Sequence, residues 1–244
     1  MTENLLYSFD VFDTVLTRMV LRPKDVFHLV GQRLAACPAE LPPRLCNGFW
    51  CARVWSEFMA RRRSVAEDIT LLNIYESLAL DFGLNDSGRK FLAETELAVE
   101  SEVLVPIDGA AALLSAARAD GAGLAFISDM YLPSGFIQGV LERVGLFLPE
   151  DRLYVSGELG KSKGSGNLFR HVLGDLGIPP GQLVHCGDNP VTDCRVPRAL
   201  GIRLYGEHAY EQQGSEKIRG YVSLLHHLRD LGKARIQVGK LPHV

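Results

Sequence analysis

The sequence predicts a doubly wound, Rossmann-like α/β fold: a parallel sheet with helices on both faces, into which an α-helical cap is inserted after the first strand. Three observations predict it. Short apolar runs break off abruptly at polar residues, as residues 5–9 do before Asp10, 123–127 before Ser128 and 183–186 before Gly187 and Asp188. Such runs read as buried strands that deliver polar groups at their C-terminal ends, where open α/β sheets bind ligands. After Pro106, strand-type and helix-type patterns alternate, the signature of a sheet wound with helices. Between about residues 20 and 103 the pattern is helical, with no convincing strand.

Taken in order, residues 5–9 are the first strand. Pro23 opens the first helix, and further helices follow over 43–63, 71–82 and 87–102. Beyond Pro106 come a helix near 107–120, a strand over 123–127, a helix near 134–144 and a strand over 152–155. A helix near 166–176, a strand over 183–186, a helix near 191–200 and a strand over 202–204 complete the pattern. The expected organisation is therefore an α/β core of residues 1–19 and 104–205, a helical cap of 20–103, and an appended helix and polar tail over 206–244. The cleft between cap and core is the natural ligand site.

Composition narrows the ligand. Hydrophobic residues make up 47% of the 244 residues, enough for a core that needs no disulfide staples. The formal net charge of −3 arises from interleaved acids and bases, so no basic field suggests a nucleic-acid or anionic-membrane partner. No apolar run reaches the roughly 18 residues of a membrane helix, so no membrane insertion is expected. The five cysteines (Cys37, Cys46, Cys51, Cys186, Cys194) are odd in number, contain no C-x-x-C pair and follow no secretory signal. Reduced thiols in a cytoplasm are the expectation, and a small molecule is the expected partner. Oligomeric state is left open.

Four polar clusters fall at strand ends: Asp10 to Thr14, Ser128-Asp129, the lysines Lys161 and Lys163, and Gly187-Asp188 with Asp193. Each alone also reads as a strand-end turn or a helix cap. Together they suit phosphoryl chemistry. A carboxylate nucleophile approaches a dianionic phosphate only if a metal and a lysine offset the repulsion, while a hydroxyl and backbone amides hold the nonreacting oxygens. Two carboxylates after a glycine suit Mg²⁺, which takes a few carboxylates plus water. Gly160-Lys161-Ser162 hints at a nucleotide phosphate loop, but Val155 stands where that loop requires its first glycine.

These residues resemble the haloacid-dehalogenase superfamily. Its first motif, Asp-x-Asp-x-Thr, is matched by Asp10-Val11-Phe12-Asp13-Thr14, its second by Ala125-Phe126-Ile127-Ser128, its lysine by Lys163, and its acidic fourth motif by Gly187-Asp188 through Asp193. The motifs follow in the family's order, and the resemblance extends to about residue 205. It implies that Asp10 attacks phosphorus and forms an aspartyl-phosphate, and that Asp10, Asp188 and the Phe12 carbonyl coordinate Mg²⁺. It further implies that Asp193 ligates the metal or orients its waters and the lysine. Thr14 would support the loop, Ser128 would hold a phosphoryl oxygen, and Lys163 would offset charge on nucleophile and phosphate.

The sequence departs from the pattern at Phe12, where phosphatases of the superfamily carry an Asp as general acid and base. General acid–base catalysis is worth roughly 10²–10⁴-fold. A cap-borne acid, Asp129, or a leaving group that departs unprotonated could compensate; Asp129 also reads as a loop or capping carboxylate. Branches of the superfamily with a nonacidic residue here include dehalogenases, which attack carbon with the same Asp, so that reading competes. A phosphate-binding or regulatory module without turnover is the third. Residues 9–18, Ser128 to Leu132 and Val196-Pro197 look most like predicted bacterial hydrolases of the superfamily that accompany polysaccharide synthesis, which raises sugar phosphates as substrates.

Arg18 and Arg53 are candidates for anion contacts with substrate, because a guanidinium suits phosphate or carboxylate. Arg53 also reads as a surface salt bridge to Glu57, four residues on. Arg61-Arg62-Arg63 suits the C-terminus of a helix. Trp50, Trp55 and Phe58 are expected in the cap core, and His185, inside a strand, as a packed core histidine.

Overall fold

The computed structural model describes residues 5–36, 41–120 and 123–205. The chain opens with strand β1 (Leu6–Phe9), a short strand β2 (Leu16–Arg18) and a 3₁₀ turn (Pro23–Asp25). Four helices follow: α1 (Val26–Ala35), α2 (Pro43–Arg63), α3 (Leu71–Phe82) and α4 (Asp86–Val103). Strand β3 (Leu104–Pro106) then leads into α5 (Ala110–Asp120), β4 (Leu124–Ser128), α6 (Ser134–Arg143), β5 (Arg152–Val155) and the single turn α7 (Ser156–Leu159). Helix α8 (Asn167–Leu176), β6 (Leu183–Cys186), a π-helical turn (Pro190–Arg195), α9 (Val196–Ala199) and β7 (Arg203–Leu204) complete the described chain.

The central sheet is parallel, in the order β5-β4-β1-β6-β7. From β1 the chain builds outward through β4 and β5 on one side, then crosses back to lay β6 on the other. The C-terminal end of β1 is thus the point where strand order reverses, the position at which open α/β sheets bind ligands. Period-two alternation sends β4 side chains to two cores. Leu124 and Phe126 join one that extends into the helical segment through Phe27, Leu45, Phe49 and Tyr75. Ala125 and Ile127 join the other, beneath Leu168, Phe169 and Val172 of α8.

Among the described residues no strand lies between α1 and α4. Three starts have a local cause: Pro43 at the first turn of α2, a Thr70–Asn73 capping box on α3, and Asn85, which accepts from the Gly88 amide, on α4. Gly83 ends α3 at φ 66°, a left-handed conformation that glycine adopts without penalty. The segment is joined to the sheet by the antiparallel β2–β3 ribbon, in which Leu16 faces Pro106 and Arg18 faces Leu104.

Every strand expected of the central sheet is present. The β2–β3 ribbon is new: three-residue strands have too few alternations to register as a pattern. The helix expected near 191–200 is corrected to a π-helical turn followed by one turn of α-helix. The helix expected from 107 begins three residues later, after Gly109 at φ 87°. Trp55 and Phe58, expected in a core, are about half exposed. The buried face of α2 is carried by Leu45, Phe49, Arg53 and Ala60, and at helical spacing Trp55 and Phe58 fall on the other side, where Arg62 lies over the Phe58 ring. The expected extension over 206–244, and Cys37, lie outside the described residues.

Candidate active site

Asp10 is carried at the C-terminal end of β1, where its amide donates to the Cys186 carbonyl of β6 at 2.8 Å. The chain then turns sharply. Val15 and Leu16 both donate to the Val11 carbonyl, and Asp13 takes φ 60°, a left-handed conformation that a short acidic side chain tolerates. The turn brings the Thr14 hydroxyl to Asp10 Oδ2 at 3.3 Å. Asp13 itself points away and accepts from Thr17.

Lys163 reaches this carboxylate from the loop before α8. Its side chain is 3% exposed, and its ammonium lies 2.6 Å from Asp10 Oδ1 and 2.6 Å from Asp193 Oδ1. Its backbone amide donates to Asp129 Oδ1 at 2.8 Å. Lys161, the competing lysine of the sequence, has no such contact among the described residues.

Asp193 is delivered by the wide π turn after β6. Asn189 caps that turn by accepting from the Val191 and Thr192 amides, and its own amide donates to Asp193 Oδ2 at 3.0 Å. A Cβ at Gly187 would lie 2.4 Å from Asp193 Cγ, so only glycine lets the carboxylate settle there. His185 of β6 completes the arrangement, its Nε2 3.2 Å from Asp193 Oδ1 and its Nδ1 2.8 Å from Ser8 Oγ. Because an ionised carboxylate only accepts, Nε2 carries the proton, and Ser8 donates to Nδ1.

The electrostatics follow from this packing. Burial pushes the Asp10 carboxyl up to about 7, against the pull of Lys163 and with the added push of Asp193 and Asp188. Burial opposes ionisation of Asp193 too, but His185 and Lys163 hold it well below the usual carboxylate range. Burial disfavours the Lys163 ammonium, yet Asp10 and Asp193 outweigh it and keep the lysine charged. Burial lowers His185, against the pull of Asp193, and so favours its neutral form.

Asp10, Asp188 and Asp193 each place a carboxylate oxygen within 4.8 Å of the others. At the end of the adjacent strand β4, the Ser128 hydroxyl is buried with no hydrogen-bond partner among the described residues. The site therefore gathers three carboxylates around one ammonium, beside one unsatisfied hydroxyl.

No protein-family profile and no curated protein matches the chain. Solved structures do. An L-2-haloacid dehalogenase aligns at 21% identity over 82% of each chain, with TM-score 0.51. YfnB from Bacillus subtilis, described as a HAD-hydrolase and bound to magnesium, aligns at 19% identity over 83% of this chain and 88% of its own, with TM-score 0.53. A HAD family enzyme from Bacteroides thetaiotaomicron, in complex with magnesium and inorganic phosphate, aligns at 17% identity over 82% of this chain and 92% of its own, with TM-score 0.53. The chain has the haloacid-dehalogenase-like fold.

On that fold, Asp10, Thr14, Lys163, Asp188 and Asp193 converge on one focus, with Ser128 at the neighbouring strand end and Asp129 behind the lysine. Both arginines are paired with carboxylates of the helical segment. Arg53 is fully buried: Nε and Nη2 donate to Glu96 at 2.7 and 2.9 Å, and Nη1 donates to Glu57 at 3.1 Å. Its guanidinium lies 4.4 Å from the centroid of the Phe27 ring and 4.8 Å from that of Tyr131. The anion contact expected of Arg53 is corrected to an internal ion pair, because all three guanidinium nitrogens already have carboxylate acceptors. Arg18 borders the site: it lies 4.6 Å from the centroid of the Phe12 ring, and its Nε donates to Glu100 at 2.8 Å.

Sequence reasoning missed the roles of Ser8, His185, Asn189 and Glu100. His185 could have been suspected from its position two residues before Gly187-Asp188. Asn189, directly before Pro190 and with its contacts within four residues, carried a local capping signal; Ser8 and Glu100 depend on cross-strand register and helix packing that one chain does not display.

Proposed function

We propose that this chain is a hydrolase that removes the phosphoryl group from a small phosphorylated metabolite in the cytoplasm, with Asp10 as covalent nucleophile and Mg²⁺ as cofactor. The observation that carries the reading is the convergence of Asp10, Lys163, Asp188 and Asp193 on one focus beside the unpartnered Ser128 hydroxyl. Buried Asp10, Lys163 and Asp193, with Asp188 half-buried alongside and the Ser128 hydroxyl without an acceptor among the described residues, suit a ligand that brings positive charge and an acceptor oxygen. The donor set is all oxygen and fits a hard divalent cation. Asp10, Asp188 and the Phe12 carbonyl would hold it. Both Asp193 oxygens already accept protein donors, which suits orientation of the lysine. When bound, the ion supplies charge neutralisation for the transferring phosphoryl group.

The protein groups then have defined tasks. Thr14 orients the Asp10 carboxylate, whose oxygen attacks phosphorus as the bond to the leaving oxygen breaks. Lys163 neutralises the approach of carboxylate to phosphate, and the Ser128 hydroxyl donates to a nonreacting oxygen. Water then attacks phosphorus of the aspartyl-phosphate; the bond to Asp10 breaks, the carboxylate returns, and a water proton passes to the released phosphate. With Phe12 where an acid would stand, and with Asp129 Oδ1 accepting from the Lys163 amide, the leaving group departs with little help. The rate should therefore depend steeply on leaving-group acidity.

Dehalogenation by the same Asp10 at carbon is the alternative that Phe12 keeps open, and phosphate binding without turnover is another. Asp188 beside Asp10 favours phosphoryl transfer, since halide displacement has no use for a metal-binding carboxylate. The test is Mg²⁺-dependent phosphate release from an activated aryl phosphate and a panel of sugar phosphates, with Asp10→Asn as control. Turnover abolished by the substitution is expected. Halide release from a haloacid without phosphate release would establish the alternative.

A further inference from the structure

The connection between α2 and α3, residues 64–70, is stitched to the loop that carries Lys163. Glu67 accepts from the Ser162 amide at 2.8 Å and the Ser165 hydroxyl at 2.6 Å through one oxygen, and from the Asn167 side-chain amide through the other. Its own amide donates to the Gly160 carbonyl at 3.2 Å. Next to it, Asp68 accepts from the Ser156 hydroxyl and from Arg61. A Cβ at Gly157 would lie 2.4 Å from the Ile69 carbonyl oxygen, so the two chains meet backbone to backbone there. The Leu71 amide closes the contact on the Tyr131 carbonyl at 2.7 Å.

We propose that Glu67 is a positioning residue for Lys163: through the Ser162 amide, the helical segment determines where the lysine ammonium lies between Asp10 and Asp193. The Ser162 and Lys163 carbonyls accept from the Leu168 and Gly166 amides at 3.1 and 2.9 Å, and on the other side two consecutive amides are held by carboxylates from different parts of the fold. Ser162 is held by Glu67 of the helical segment and Lys163 by Asp129, which follows β4. Losing either removes the tether on the amide side and lets the peptide shift about the carbonyl contacts that remain. A carboxylate suits this position because all three of its partners donate, and an ionised oxygen strengthens each bond. The donors hold the Glu67 carboxyl down at about 2, so it is charged at any working pH. Glu67 is exposed, and exposed charged contacts add little to folding stability. Its effect should therefore be visible in lysine geometry and hardly at all in stability.

The inference rests on the phosphatase reading for its kinetic readout, and its test separates the two. Glu67→Ala and Glu67→Gln are made in the parent chain and with Lys163→Ala. Each protein is assayed for kcat and KM on the aryl phosphate with Mg²⁺, for melting temperature, and for hydrogen exchange over residues 160–166. Small displacements of catalytic groups cost up to about 10²-fold, so Glu67→Ala should lower kcat by about 10-fold with little change in KM or melting temperature. Glu67→Gln, which retains an acceptor for Ser162, should recover most of the loss. In the Lys163→Ala background neither should cost anything further, while Ser162 exchange should still accelerate. An unchanged kcat, or an equal loss in both backgrounds, would overturn the proposal.

Absence of turnover in the parent protein would count against the phosphatase reading alone. Mg²⁺-dependent binding of inorganic phosphate by the same proteins then decides about Glu67. Weaker binding that vanishes as an effect without Lys163 supports the role, and unchanged binding and exchange overturn it.

Discussion

Two buried charge clusters, one in the helical segment and one at the sheet, are built from the same side-chain types to opposite ends. Around Arg53, every guanidinium nitrogen meets a carboxylate, and the Tyr75 hydroxyl donates to Glu96 at 2.6 Å. At the sheet, one ammonium serves Asp10 and Asp193 with Asp188 alongside, Asp10 is raised to about 7, and Ser128 lacks a partner. The first cluster is complete within the protein. In the second, burial raises the Asp10 carboxyl to about 7 despite the lysine, and three carboxylate oxygens lie within 4.8 Å of one another at a strand-end focus, the difference that separates an internal ion pair from the candidate site proposed above.

Asp10→Asn gives the largest expected effect. On the proposed reading it removes the nucleophile and should lower kcat by on the order of 10³-fold or more. It also removes a buried negative charge, so the melting temperature should hold or rise. Arg53→Met should do the reverse, costing about 3–5 kcal/mol of stability by leaving Glu96 buried and unpaired, with little loss of kcat per folded molecule. Adding Glu96→Leu should restore most of that stability in denaturant titrations. Equal kinetic damage from Arg53→Met would break the contrast between the clusters.

Gly187→Ala sharpens it. The added Cβ would collide with the Asp193 carboxylate, and a displacement of about 1 Å can cost about 10²-fold in kcat. Ser128→Ala is expected to cost roughly 10-fold in kcat/KM and almost nothing in stability, because its hydroxyl has no partner to lose.

The smallest effect is thermal. Asp10 has its ordinary value of 3.8 when unfolded and about 7 when folded, so the stability tied to its protonated form is lost as pH rises through that window. A cation that neutralises it should return stability above the window and little below it, because at low pH binding must first displace a proton. The rise in melting temperature caused by Mg²⁺ should therefore be larger at pH 8 than at pH 5. An equal rise at both would place the ion away from Asp10.

The strands and the residues at their ends were legible in the sequence because both are local: an apolar run that stops at Asp10 or Ser128 displays its register and its exit. The Arg53 misreading shows the limit. Glu57, four residues away, was visible, but Glu96 lies 43 residues on and meets Arg53 only through helix packing. Trp55 and Phe58 were misassigned because helical spacing identifies a shared face without saying which face is buried. Asp193 was legible as an acid, but the π turn that aims it and the Gly187 contact that admits it were not. Glu67 carried no signal, since its partners lie about a hundred residues away.

The central claim is that the unbalanced cluster acts through Asp10 on phosphorus. Rapid acid quench of the protein turning over an aryl phosphate with Mg²⁺, followed by peptide mass spectrometry, tests it most directly. The account predicts a phosphoryl group on the peptide containing Asp10, dependent on Mg²⁺ and absent from Asp10→Asn. Phosphate release with no such adduct, or with undiminished turnover in Asp10→Asn, would contradict it.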